Sequence, residues 1–309
     1  MREVRWERMF PDELEAAFAN CPAVYLPYGL CEPHGPHNAV GLDALKAHAI
    51  CCLAARTYGG IVAPPDYWHI HEVGGYAVWA ARRVGESRPW LTAVPPWIHF
   101  KNLCYHLRAV DALGFHVAII LTGHYGENWK DLKTLVQILQ PHFGMKIYGL
   151  PDFEANQPGF GTSGEKGDHA GKVETSLLWA LDPDCVDFSR LPSESEIGLD
   201  EHNFAMGLNA FQSNRRSGER MAEDEARWLG AKVETLLHEY QQDPPRNRTP
   251  LSFMAVEQFW NRDVEPQLKE FLTMKELFEG QIEGPPPQSR WRLNWKVSWP
   301  LRQAPRNLL

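Results

Sequence analysis

The chain alternates two hydrophobic periods. Short continuous apolar runs at residues 23–26, 61–63, 117–121 and 145–150 read as strands buried on both faces. Between them lie stretches with apolar positions at helical spacing. Residues 12–20 predict a first short helix. Residues 43–56 predict a second, with Leu42, Leu45, Ala49, Ile50, Leu53 and Ala54 as its inward stripe, ended by Gly59 and Gly60. Residues 95–113 predict a helix opened by proline and stopped by Gly114, and residues 128–140 another. Helices over 173–181 and 219–240 follow, the latter long and amphipathic. Strand, helix and strand in succession make right-handed βαβ units. The expected fold is therefore α/β, three layers of α/β/α around a mostly parallel central sheet.

The pattern also divides the chain. Residues 1–245 hold the repeating β and α signals and are expected to form one catalytic α/β domain. Residues 246–309 read as an extension with one short helix over 266–278 and a basic, tryptophan-rich tail, packing on the domain or on a neighbouring subunit. Periodicity disappears over 66–97, a long aromatic connection expected to form a rim over a site. In that connection His69, His71 and Glu72 could make a metal site, although alternation along a strand also puts both histidines on one face. Trp68, Tyr76 and Trp79 are its candidates for stacking on a flat substrate ring.

Composition narrows the function. With 309 residues, 44% hydrophobic and 23% charged, the chain is that of a globular protein. A net charge of −8 argues against nucleic acid as partner. No apolar run nears the ~20 residues of a membrane helix. Residues 1–8 lack the apolar core of a signal peptide, and the six cysteines are scattered, so a cytoplasmic protein with reduced thiols is expected.

The chemistry gathers on loops just after strands. Glu32, His34, His37 and Asp43 crowd into twelve residues broken by prolines and glycines. His124 follows the strand at 117–121. Asp168, His169 and Glu174 open the helix at 173–181. In open α/β sheets the C-terminal strand ends converge on one crevice, so these loops should meet. Carboxylates mixed with imidazoles suit Zn²⁺, Mn²⁺ or a related divalent ion, Fe or Mg included. So many acids suit two ions sharing a carboxylate better than one tetrahedral ion. Such a pair acidifies a bridging water to hydroxide and polarises a carbonyl, which supports hydrolysis.

The order of three motifs resembles the creatininase, or creatinine amidohydrolase, family, over residues 20–240. They are Pro27-x-Gly29-x-x-Glu32-x-His34-Gly35-Pro36-His37 with Asp43, then Gly123-His124-x-x-x-Asn128, then His169-Ala170-Gly171-x-x-Glu174-Thr175-Ser176. The resemblance implies a metal-dependent hydrolase, with two divalent ions per chain and Asp43 bridging them. Glu32 and His124 would hold one ion, His34 and a glutamate the other. The second motif here carries one residue more than a creatininase's, so Glu174 is the expected fifth ligand and Glu127 the reserve. The family places a catalytic histidine at His169; Asp168, its neighbour in sequence, could orient it. Tyr125 and His37 are candidates for substrate contact. The implied substrate is a small cyclic amide or related carbonyl compound. The 66–97 segment differs from a creatininase's and marks a divergent member. An oxidised cyclitol or sugar-derived ring is the alternative substrate, and a single-metal isomerase or lyase acting on a polyol the alternative enzyme. The resemblance also implies a homo-oligomer, often a hexamer.

Overall fold

The computed structural model describes residues 2–71, 90–124, 128–156, 168–191, 206–207, 209–245 and 249–275. Among these residues four strands form one sheet: β1 (Ala23–Tyr28), β2 (Ile61–Val62), β3 (Val117–Thr122) and β4 (Lys146–Pro151). Their order is β2-β1-β3-β4 and every pairing is parallel. All six positions of β1 and of β3 are buried. This is why their sequences read as unbroken apolar runs rather than as alternation.

The pleat sends neighbouring side chains into two cores. Tyr25, Val62, Val117, Ile119 and Leu121 face one layer, made by α2 (Leu42–Tyr58) and the long α6 (Arg215–Gln242), with α5 (Lys172–Leu181) beside them. Val24, Leu26, Ala118, Ile120 and Ile147 face the other, made by α3 (Pro96–Ala112) and α4 (Asn128–Leu139). Buried Phe100, Leu103 and Leu107 on α3 contribute about 2–3 kcal/mol each by leaving water. The fold is thus α/β with helices on both faces of a parallel sheet. The first helix, α1 (Pro11–Asn20), opens with proline and an acidic first turn.

Two elements differ from the sequence expectation. The long helix begins at Arg215, because the Asn214 side chain accepts from the Ser217 N–H and caps it. Towards the C-terminus, helix α7 (Phe253–Phe259) starts at the Ser252 cap, runs into a π turn and then a 3₁₀ turn around Pro266, and is followed by α8 (Leu272–Lys275). Pro266 sits at the start of the 3₁₀ turn rather than of an α-helix. Val256, Phe259, Trp260, Val264, Leu268, Phe271 and Met274 join the core on the α3 side. The basic tryptophan-rich tail lies outside the described residues. Among the described residues, no helix is long and apolar enough to cross a membrane.

The chain leaves β1 for β2 on one side, then crosses to β3 on the other. That reversal puts the loops after β1 and β3 side by side at the strand C-termini, the switch point where open sheets bind ligands.

Candidate metal centre

Five side chains from three loops meet there. The loop after β1 is closed by the Glu32 N–H donating to the Val40 carbonyl at 2.9 Å, and it reverses at Gly35, whose φ is +71°. It carries Glu32 and His34. Asp43 lies in the first turn of α2, and His124 follows β3 directly. Gly29 and Gly123 let the helix start come this close. A Cβ on Gly29 would stand 2.3 Å from the Ala44 nitrogen, and one on Gly123 would stand 2.1 Å from the Asp43 carbonyl oxygen. The third loop is set by Ala170, which holds a left-handed backbone, φ +46°, and aims its N–H at Glu174 Oε2, 2.7 Å away.

Among the described residues the donor atoms fall into three groups, of which the first two share Asp43 and the third is Glu32, His34 and His169. Glu32, Asp43 and His124 form the first; His34, Asp43 and Glu174 form the second; within each group the donor atoms lie within 4.8 Å of one another. Asp43 Oδ2 is 3.1 Å from His124 Nδ1, while Asp43 Oδ1 is 3.1 Å from His34 Nε2. Glu32 Oε1 is 2.9 Å from His124 Nδ1, and Glu174 Oε2 is 3.6 Å from His34 Nε2. All five residues are buried. His34 Nε2 and Asp43 Oδ1 make no hydrogen bond despite their approach. Buried polar atoms without hydrogen bonds, in a set of three carboxylates and two imidazoles, fit a divalent cation as the missing partner.

The other expected site residues are placed as follows. His169 is half exposed, its Nδ1 3.9 Å from Glu32 Oε1 and its ring 4.7 Å from that of His34. Asp168 does not orient it. Both Asp168 oxygens accept helix-start N–H groups, from Val173 at 2.9 Å and Glu174 at 3.1 Å, so it caps α5. His37 is turned away from the donors and shares Thr175 Oγ1 with Asn38, at 3.0 and 2.9 Å. Trp68 is exposed. His71 belongs to the main cluster, its Nε2 donating to Glu32 Oε2 at 2.9 Å, while His69 hydrogen-bonds the Ile70 carbonyl. Glu72, Tyr76, Trp79, Tyr125 and Glu127 lie outside the described residues.

The family model described as creatininase, creatinine amidohydrolase, matches residues 7–231. The chain belongs to the creatininase family. It is thereby a metal-dependent hydrolase of the amidohydrolase type. A creatinine amidohydrolase of Pseudomonas putida is 24% identical over 205 residues, 61% of this chain and 74% of that protein. Among solved structures, a manganese creatininase aligns with TM-score 0.56 at 22% identity, over 79% of this chain and 100% of its own. A mutant creatininase of Zn-Zn type gives TM-score 0.56 at 21% identity with the same coverage. At such identity the solved structures share the fold.

This creatininase-family centre is strongly polarised without metal. Burial alone would raise Glu32, but His124, His169 and the His71 hydrogen bond hold it well below the usual carboxylate range. Burial likewise opposes the ionised Asp43, and His34 with the His124 hydrogen bond lowers it. Burial pushes His34 down, yet Asp43, Glu32 and Glu174 together raise it to about 9. His37 is pushed down to about 4 by burial and by His34. Stability follows in sign. His34 titrates above its ordinary 6.5, so its contribution is complete below pH 6.5 and is lost as pH rises to about 9, roughly 3 kcal/mol at most. His37 works the other way: stability falls as pH drops from 6.5 towards 4. Below that, protonation of Glu32 and Asp43 removes more. Protein kept metal-free by chelator is therefore expected to be most stable near pH 6.5, and its thermal midpoint to fall by several degrees by pH 9. Excess Zn²⁺, which needs His34 neutral, should flatten that alkaline fall. A midpoint that stays level or climbs between pH 6.5 and 9 in chelator would refute the account.

Two buried partners are not apparent from the motifs. His71 reads from the sequence only as part of a separate site. Lys46 lies outside every motif, although its position four residues from both Leu42 and Ile50 puts a cation on the inward side of α2, a signal available in the sequence.

Proposed function

We propose that this creatininase-family member hydrolyses a small cyclic amide or related cyclic carbonyl compound, using two divalent ions held by Glu32, Asp43 and His124 on one side and by His34, Asp43 and Glu174 on the other. The observation that carries the reading is Asp43, whose two oxygens face different histidines at equal distance, 3.1 Å. One carboxylate presenting a separate oxygen to each of two histidines is the arrangement a bridged pair needs. Zn²⁺ and Mn²⁺ suit the donors, and both occur in the names of the solved relatives. That the relatives are amidohydrolases favours the amide over the oxidised cyclitol. When bound, such ions supply an acidified water and a Lewis acid for the carbonyl.

The chain's own groups do the rest. His169 Nε2 is 3.1 Å from the Pro33 carbonyl. A carbonyl only accepts, so Nε2 carries the hydrogen and the Nδ1 lone pair faces the donor cluster. His169 can then take a proton from the centre and return it to the nitrogen released when the C–N bond breaks. Its exposed edge connects that proton to solvent. Glu32 is held by His71 on its outer oxygen, which leaves Oε1 for the centre. Trp68 is exposed and is the described aromatic residue we assign to stacking on a ring-shaped substrate.

The test combines metal analysis with a substrate screen. Wild type should carry close to two ions per chain and open at least one member of a panel of small lactams, hydantoins and creatinine-like rings. His169→Ala should keep its metal and lose roughly 10²–10⁴ in kcat. One ion or fewer in wild type, or a His169→Ala enzyme within threefold of normal, would sink the reading.

A further inference from the structure

The centre rests on a buried ionic network that the chemistry above does not use. Lys46 has no solvent exposure, and its Nζ lies 2.6 Å from Glu174 Oε1 and 3.2 Å from Asp152 Oδ2. Lysine is almost never buried completely unless paired. Here the pairing spans three elements: Lys46 from α2, Glu174 from α5 and Asp152 from the turn after β4. Asn156, in the same turn, donates to the buried Glu225 of α6.

Glu174 is therefore gripped twice. Lys46 takes Oε1. The Ala170 N–H takes one lone pair of Oε2, which still faces His34 Nε2 at 3.6 Å. Lys46 also stands three residues after Asp43, on the next turn of the same helix. One helix thus supplies both the shared carboxylate and the cation that aims the carboxylate opposite it.

We infer that Lys46 is a positioning residue for the second donor group: it fixes Glu174 with Oε2 towards His34 and Asp43, so that this half of the centre is assembled before metal arrives. The inference rests on the two-ion reading above. It acts unequally on the two halves of the centre, because Lys46 contacts Glu174 directly at 2.6 Å and acts on the Glu32, Asp43 and His124 group only through its charge on Asp43. Asp152 Oδ2, 3.2 Å from the ammonium, holds it a second time. An interaction of this kind, one contact removed from the ion, typically changes metal affinity 10- to 100-fold.

Zn²⁺ titration of metal-stripped full-length protein against a chromophoric chelator tests this, with thermal midpoints recorded in parallel. Lys46→Met should weaken one of two zinc sites about 10- to 100-fold and leave the other within threefold. It also removes the cation paired with the buried Asp152 and Glu174, so its thermal midpoint should fall. Lys46→Met/Asp152→Asn removes the Asp152 charge as well. The double variant should recover part of the midpoint and keep the one-site zinc defect. A structural role alone would restore both together, and that result, or unchanged zinc binding in Lys46→Met, overturns the inference. Wild-type protein that takes up fewer than two ions, or Glu174→Gln that binds zinc like wild type, overturns the two-ion reading itself, whatever Lys46 does.

Discussion

Asp43→Asn is expected to abolish hydrolysis and strip most of the metal at once. The substitution keeps the shape of the side chain and removes its charge. Asp43 is the one residue in both donor groups, with an oxygen 3.1 Å from each of His34 and His124. An amide cannot present two anionic oxygens, and its NH₂ end would face one imidazole. Both ions should therefore weaken together, whereas loss of Glu32 or Glu174 should weaken mainly one. The expected fall in kcat/KM is at least about 10³-fold, equivalent to about 4 kcal/mol of transition-state stabilisation. Elemental analysis after gel filtration and single-turnover assays give the two readouts. A variant that retains two ions and activity within tenfold would show that Asp43 bridges nothing. The same variant should also behave differently without metal. His34 loses the closest of the carboxylates that raise it, so the alkaline fall in stability between pH 6.5 and 9 should shrink.

Gly123→Ala should damage the centre without touching a donor atom. The added Cβ would lie 2.1 Å from the Asp43 carbonyl oxygen and 3.2 Å from its Cα. Both are backbone atoms at the start of α2, so no side chain can swing aside. Either the end of β3 or the start of α2 must move. Such overpacking costs about 1–3 kcal/mol, and the displaced Asp43 should weaken both donor groups, since a site a fraction of an ångström out of place binds poorly. We expect a thermal midpoint lower by several degrees and metal uptake reduced in both groups. Gly41→Ala is the contrast. Its Cβ would meet the edge of the Tyr67 ring at 3.3 Å, a side chain that can yield, so stability should change by less than about 1 kcal/mol. Equal midpoints for Gly123→Ala and wild type would dismiss the close approach as a determinant of the site.

Those glycines show where sequence reasoning stopped. Gly29 and Gly123 stand inside the first two motifs and were legible as letters of a pattern. Their reason was not, because it is a contact between segments 14 or more residues apart, each pressing on the Asp43–Ala44 backbone. The inward side of α2 shows the same limit. Apolar spacing pointed to Leu45, Ala49 and Leu53, which are only partly buried. The fully buried positions include Asp43, Lys46, Ala47 and Cys51. Periodicity weighs a lysine as a solvent residue, and it has no access to two carboxylates waiting on other elements. Asp168 failed for a related reason: next to His169 in sequence it looked like its orienting acid, but the free N–H groups of the α5 first turn are closer and claim both oxygens.

What the sequence determined by itself is what local physics encodes. Continuous apolar runs mark strands covered on both faces, helical spacing marks the layers that cover them, and loops bearing acids and histidines after strands converge at the C-terminal edge of a parallel sheet. The donor residues Glu32, His34, Asp43, His124 and Glu174 were all named on that basis and on the family resemblance. The tertiary structure alone decided how they divide: which oxygen of Asp43 meets which histidine, that Lys46 and His71 occupy the outer oxygens of Glu174 and Glu32, and that Asp168 serves a helix. These are matters of distance and direction between residues far apart in the chain. A carboxylate's role is set by whichever donor or cation lies within about 3 Å of it, and only folding brings those partners within reach.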